Sequence, residues 1–163
     1  MPPTSTNNIA FTSPINPPGA SPTLTRPQIW RMLQLKVRSA ETFVPNAIQS
    51  TTVLSTTPAS DNAGAVTVRE VMFREAQRVV REVVTEFEDA RVEFEQPDGS
   101  RISNVVSEGA DGELYMTYIF EWRHPGMKEE ELEALKAKER KMSRMAVEGT
   151  IEAMRKLVSE GKY

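Results

Sequence analysis

Apolar positions along this chain change their period twice. From residue 25 to residue 38 they recur every three or four places, from 47 to 123 they alternate in twos, and beyond Gly126 the helical period returns. In "TLTRPQIWRMLQLKVRS" the residues Ile29, Trp30, Leu33 and Val37 make one buried face, leaving Arg31, Lys36 and Arg38 to solvent. Thr25, followed three residues later by Gln28, has the spacing of a capping box, and Pro27 falls in the first turn, where its missing N–H is harmless. These features predict a helix. Ser39 is placed to cap a second, very short helix through Phe43, ended by Pro45.

The middle of the chain is rich in Val, Thr, Phe and Tyr between turn formers, which predicts antiparallel strands near 48–56, 65–74, 78–87, 90–96, 101–107 and 113–123. "PASDNAG", "QPDGS" and "EGADG" supply the turns. After Pro125-Gly126 one long helix is expected, with Glu129 to Glu131 at its positive end and Lys156 and Lys162 toward the other. At about 100° per residue, Leu135, Met142, Ala146, Gly149, Ala153 and Leu157 form its central apolar stripe, with Val147, Ile151, Met154 and Val158 on the shoulder. So wide an arc suits a helix gripped by a curved sheet. Upstream of the first helix, residues 1–25 carry no charge; 1–7 read as a flexible tail, and "IAFTSPIN" as a short edge strand carrying Ile9, Phe11 and Ile15. Residues 8–163 are then a single domain.

Composition narrows the chemistry. A net charge of −3 lacks the basic excess that would hold a nucleic acid. The absence of cysteine removes disulfides, thiolate nucleophiles and cysteine-bound metals, and the single histidine removes multi-histidine metal sites. Without a signal-like start or a long apolar run, the chain reads as a cytoplasmic protein. No phosphate loop, dinucleotide fingerprint, nucleophile elbow or zinc motif occurs, and no cofactor is expected.

The order strand, two helices, six strands, long helix is the helix-grip arrangement of the START and birch-pollen-allergen superfamily, also called SRPBCC. Four phrases narrow it: "INPPGASPTLTRPQIWRMLQLKVRSAETFVP", "VTVREV", "RISNVVSEGADGELYMTYIFEWRHPG" and "KMSRMAVEGTIEAMRKLVSEGK" together resemble the AtaL-like family over nearly the whole chain. The resemblance implies an α+β fold, a curved antiparallel sheet of about seven strands around a long C-terminal helix, with a ligand cavity between them. It implies a polyketide- or peptide-derived ligand, and it brings no agreed catalytic residues.

Alternation along 113–123 sets Leu114, Met116, Tyr118, Phe120 and Trp122 toward that cavity, and Tyr115, Thr117, Ile119, Glu121 and Arg123 outward. His124 shares the parity of Trp122, so its imidazole falls at the cavity mouth as a candidate acid or base, or else simply caps a strand end in solvent. Asn104 is the polar member of the inward set Ile102, Asn104, Val106, and needs either a ligand or a protein partner. In "VTVREVMF" the set Val66, Val68, Met72 brings Glu70 inward as a carboxylate for acid–base work, whereas Val71 and Phe73 would bring Arg69. The longer set favours Glu70, whose structural alternative is a cross-strand pair with Arg81. The parity of 78–87 stays open between Val79, Arg81, Val83 and Val80, Glu82, Val84; Arg81 is the ligand contact of the first. Tyr118 offers a phenol to a developing enolate, or is plain core. Gly149 either makes room for a ligand or lets helix and sheet approach closely, and Met116, Met142, Met145 and Met154 would give an adaptable lining.

The expected function is binding of a hydrophobic natural-product intermediate, with cyclisation, isomerisation or dehydration by Glu70 and His124 as acid or base and Tyr118 and Asn104 as hydrogen-bond donors, Trp122 being the aromatic wall and Phe120 and Met116 further ligand contacts. The alternative is a carrier that releases its ligand unchanged. A homodimer through Tyr115 and Ile119 is a third possibility.

Overall fold

A computed structural model describes residues 5–163. Strand β1 (Thr6–Pro14) leads to helix α1 (Arg26–Arg38) and a single 3₁₀ turn (Ala40–Thr42). Then come β2 (Ile48–Thr57), β3 (Val66–Phe73), a second 3₁₀ turn (Glu75–Gln77), β4 (Arg78–Phe87), β5 (Arg91–Glu95), β6 (Arg101–Glu108), β7 (Leu114–Arg123) and helix α2 (Glu129–Glu160). The expected flexible tail at 1–7 falls partly outside the described residues, and Thr6 and Asn7 within it already belong to β1.

Every strand pairing is antiparallel, in the order β1-β7-β6-β5-β4-β3-β2, so only the first strand is displaced from sequence order. Short turns dictate the β2 to β7 meander, while β1 returns to pair with β7 over nine residues, Thr6 opposite Arg123 through Pro14 opposite Tyr115. Two register shifts in β2 against β3 bend that edge. The Thr25 hydroxyl accepts from the Gln28 amide, and the Gln28 side chain accepts from the Thr25 amide at 2.9 Å, completing the predicted capping box. Helix α2 ends on Gly161 in the left-handed region (φ 67°), where only glycine is unstrained.

The core lies between the concave sheet face, α1 and α2. It gathers Ile9, Leu33, Phe94, Met116, Tyr118, Val147 and Met154 among others. The buried line of α2 is Glu139, Ser143, Val147, Thr150, Ile151 and Met154, so the expected shoulder is the buried centre. The expected central stripe, Leu135, Ala146, Gly149, Ala153 and Leu157, is half-buried beside it. Met142 is 45% exposed and Met145 55%. Of the four methionines, Met116 and Met154 are core and the other two lie at the surface.

Candidate functional site

Strand β7 presents the expected face. Met116, Tyr118 and Phe120 are buried and Trp122 half-buried, while Ile119 is exposed on the convex side. Tyr118, Phe120 and Trp122 form an aromatic ladder with ring centroids 6.1 and 5.5 Å apart. Glu121 and Arg123 pair with each other at 3.1 Å, and Arg123 Nε also donates to the Gly99 carbonyl.

At the Trp122 end, the β1/β7 ladder runs one bond past the strands, His124 N donating to Ser5 O at 2.7 Å, which keeps His124 at the parity of Trp122. Its imidazole, 21% exposed, places Nε2 3.1 Å from Glu139 Oε2. The Glu139 carboxylate is buried and also accepts from Asn7 Nδ2 at 2.6 Å, and Asn7 in turn donates to Leu132 O at 3.1 Å. A buried carboxylate held by an amide thus fixes the ring through one nitrogen, the arrangement that orients a general base. Sequence reasoning found His124 but not its partners. Glu139 repeats at four-residue spacing with Ser143 and Val147, and Asn7 shares the parity of Ile9; both signals were present.

At the other end of the ladder the interior is charged. Lys36, expected in solvent, is 7% exposed, and its Nζ donates to Asn104 Oδ1 at 2.8 Å. The ammonium lies 5.0 Å from the Tyr118 ring centre and 5.2 Å from that of Phe94. Burial, with the Arg69 guanidinium adding repulsion and Glu82 opposing, lowers its pKa to about 7. Asn104, inward as expected and 1% exposed, leaves its Nδ2 without a hydrogen-bond partner. The Tyr118 phenol donates to Thr150 Oγ1 at 2.8 Å, and its burial raises its pKa, so it stays protonated and already committed.

The parity of β3 and β4 corrects the reading of Glu70. Thr67, Arg69 and Val71 face in on β3, and Val80, Glu82 and Val84 on β4. Glu70 and Arg81 form an exposed cross-strand pair at 3.2 Å, side chains 36% and 61% accessible, remote from the interior. The reason lies in α1. Arg69 donates to Lys36 O (3.0 Å) and Val37 O (2.9 Å), neutralising that helix's negative end, while its Nε and NH2 hold Glu82 Oε1 at 3.0 and 2.7 Å. Gln96 Nε2 donates to Glu82 Oε2 at 3.0 Å, so this buried pair is satisfied within the protein.

A Cβ at Gly149 would meet only Phe43 O within 4 Å, at 3.9 Å, an ordinary contact, so close packing does not require glycine there. Two open hollows, about 510 and 250 Å³, lie along the β1 side of α2, lined by Asn8, Ala10, Arg140 and Arg144, and by Pro14, Pro17 and Arg155. Neither reaches Trp122, Asn104 or Lys36. Ala146, Ala153 and Leu157 of the half-buried stripe pack against the core, and Gly149 faces the Phe43 carbonyl. Among the described residues no group of His, Asp and Glu is placed to hold a metal, and no helix is long and apolar enough to cross a membrane.

A seven-stranded antiparallel sheet closed over one long helix, polar groups at both ends of its inner face, defines a helix-grip protein. This chain belongs to the AtaL family, described as acetylaranotin biosynthesis cluster protein L, whose sequence pattern matches residues 9–161. No curated protein sequence matches it. Solved structures share the fold at low identity. The allergen Ara h 8.0201 is 14% identical with a TM-score of 0.52, 95% of this chain and 99% of that one being covered. A Thermobifida fusca protein is 15% identical with a TM-score of 0.59, over 94% and 95%. StfQ, a di-domain ARO/CYC from the steffimycin biosynthetic pathway, is 9% identical with a TM-score of 0.60, over 94% of this chain and 52% of that one.

Proposed function

We propose that this protein acts in natural-product biosynthesis, binding a hydrophobic, partly oxygenated intermediate between the concave sheet face and α2. It converts that intermediate by cyclisation, isomerisation or dehydration using side chains alone. The observation that carries catalysis is the His124–Glu139–Asn7 relay at the end of the aromatic ladder. With Nε2–H directed at Glu139, Nδ1 is the nitrogen that takes a proton from a bound ligand and returns it elsewhere, and Glu139 stabilises the imidazolium formed between. Tyr118, Phe120 and Trp122 provide the apolar wall that holds a reactive conformer, and Gly149 the space opposite. The family's description and the pathway named for StfQ support the biosynthetic setting. Glu70 and Arg81 have no part in this reading, because both side chains point to the convex surface.

One observation favours carriage without turnover: Tyr118, Arg69 and Glu82 already satisfy one another or neighbouring protein groups, which leaves fewer free donors than an active site uses. Incubation of the protein with a metabolite extract lacking its gene product, followed by native and denaturing mass spectrometry, separates the two. Consumption of one component with appearance of an isomeric or dehydrated product, lost in His124→Gln, is the expected result. A bound mass released unaltered by the wild-type protein overturns catalysis and leaves the carrier.

A further inference from the structure

Lys36 and Asn104 are not explained by stability. The lysine ammonium has no carboxylate of its own, since both oxygens of Glu82 are engaged by Arg69 and Gln96. It uses one of three N–H donors on Asn104 Oδ1, and Asn104 Nδ2 donates to nothing. An apolar pair of similar volume would remove both penalties. The spare donors therefore stand together in a low-dielectric interior, flanked by the Phe94 and Tyr118 rings. Ile102, two residues from Asn104 on the same face of β6, is already half-buried only, which is about 7 Å along the strand.

We propose that Lys36 and Asn104 form an enolising site for a 1,3-dicarbonyl group of the ligand. The Lys36 amine takes the proton from the carbon between the carbonyls, giving Lys36 ammonium and an enolate; no atom is lost and the pair stays neutral. The ammonium and the free Asn104 Nδ2–H then hold the two enolate oxygens. Charge balance favours this. With Lys36 neutral, the interior charges of Arg69 and Glu82 cancel, and transfer within the site creates an ion pair rather than a net charge. A pKa near 7 leaves much of the amine free to act as the base at neutral pH. The charged groups acting on Lys36 are Arg69 on β3 and Glu82 on β4, the Phe94 ring on β5 and the Tyr118 ring on β7 flank it, and Thr150 of α2 holds the Tyr118 phenol. This inference deepens the proposed function by naming the substrate class of the same concave face.

The test uses acetylacetone, whose enolate absorbs apart from its enol and diketone forms, titrated into the full-length protein near neutral pH. A saturable enolate band is expected in the wild type, absent in Lys36→Met, and requiring roughly tenfold more probe in Asn104→Leu. His124→Gln should retain the band while losing natural-product turnover, which separates failure here from failure of the relay. No band in the wild type, or a band kept by Lys36→Met, overturns the proposal. So does a covalent adduct with loss of water by intact mass, since the amine would then be a nucleophile rather than a base. Should Lys36→Met not fold, ¹⁵N-lysine-labelled wild type decides: the Lys36 signal moves to its ammonium form on adding probe, or an unmoved signal refutes the step.

Discussion

The wild-type protein should gain stability with rising pH in mildly alkaline solution, and replacing Lys36 by Met should abolish that rise. The native pKa is lowered from 10.5 to about 7. Between those values the unfolded chain holds a proton that the native chain has released, so stability increases with pH at up to about 1.4 kcal/mol per pH unit. Below about pH 7 both states are protonated, and the native state bears the whole cost of the buried charge, about 5 kcal/mol as an upper bound. Tyr118 acts in the opposite sense. Its pKa is raised above 10.0, so its contribution is intact below about pH 10 and declines only above that. The window from about pH 7 to about pH 10 therefore reports chiefly on Lys36. Urea unfolding at constant ionic strength, wild type against Lys36→Met, reads the difference directly. Near pH 6.5 the variant should be the more stable of the two, by the relieved burial less about 1–3 kcal/mol for the Asn104 oxygen left without its donor. Parallel curves for the two proteins from pH 7 to pH 10 would refute the reasoning, because a solvated lysine keeps its proton through that range.

Other outcomes follow from the same contacts. Once a substrate is in hand, His124→Gln should lower kcat roughly 10²- to 10⁴-fold, and Glu139→Gln should lower kcat with KM unchanged; activity undiminished in Glu139→Gln would remove it as the positioning residue. Arg69→Met and Glu82→Gln should each cost about 3–5 kcal/mol, with a strong non-additive coupling in the double variant by denaturant unfolding, whereas Glu70→Gln, at an exposed pair, should cost less than about 1 kcal/mol. Gly149→Ala should raise stability by about 1 kcal/mol through helix propensity yet weaken ligand affinity by isothermal titration, and unchanged affinity would place the ligand elsewhere. Ile119 stands opposite Ala10 and Ser103 on the convex face, too small an apolar patch for a standard interface; sedimentation should show a monomer at micromolar concentration, and a dimer broken by Ile119→Asp would reverse that expectation.

The architecture was legible because each link is local. Turn residues fix the meander, and the Thr25–Gln28 box and Gly126 bound the two helices, so β4 spans 78–87 as expected, β2, β3 and β5 to β7 differ by a single residue at their ends, and β1 begins three residues before the expected strand and ends two residues short of it. The inner face of β7 followed from alternation alone. Lys36 did not, although its position was readable. Ile29, Met32, Leu33 and Lys36 share one helical stripe, so spacing places Lys36 inward while its charge favours solvent. The α2 arc was rotated for the converse reason: Ser143 and Thr150 lie at the buried centre, and their polarity hid it.

The parity of β3 and β4 was hidden for a deeper reason, and it is the one that moved the site. The sequence "RE" occurs at Arg69-Glu70 and again at Arg81-Glu82, and the antiparallel register sets Arg69 opposite Glu82 and Glu70 opposite Arg81. Turning both strands over would exchange one complementary pair for the other, so cross-strand charge matching is blind to which pair faces inward. Apolar counting is nearly as weak, because valines occupy both faces. What breaks the tie is distant in sequence: the carbonyls of Lys36 and Val37 at the end of α1 require a donor, and only an inward guanidinium reaches them. The same helix end that draws Arg69 inward also delivers Lys36 to Asn104. Burial of one cation as a structural clamp and of the other as a reactive amine thus follows from a single docking of α1, and a variant that withdraws Arg69 should displace Lys36 from Asn104 as well.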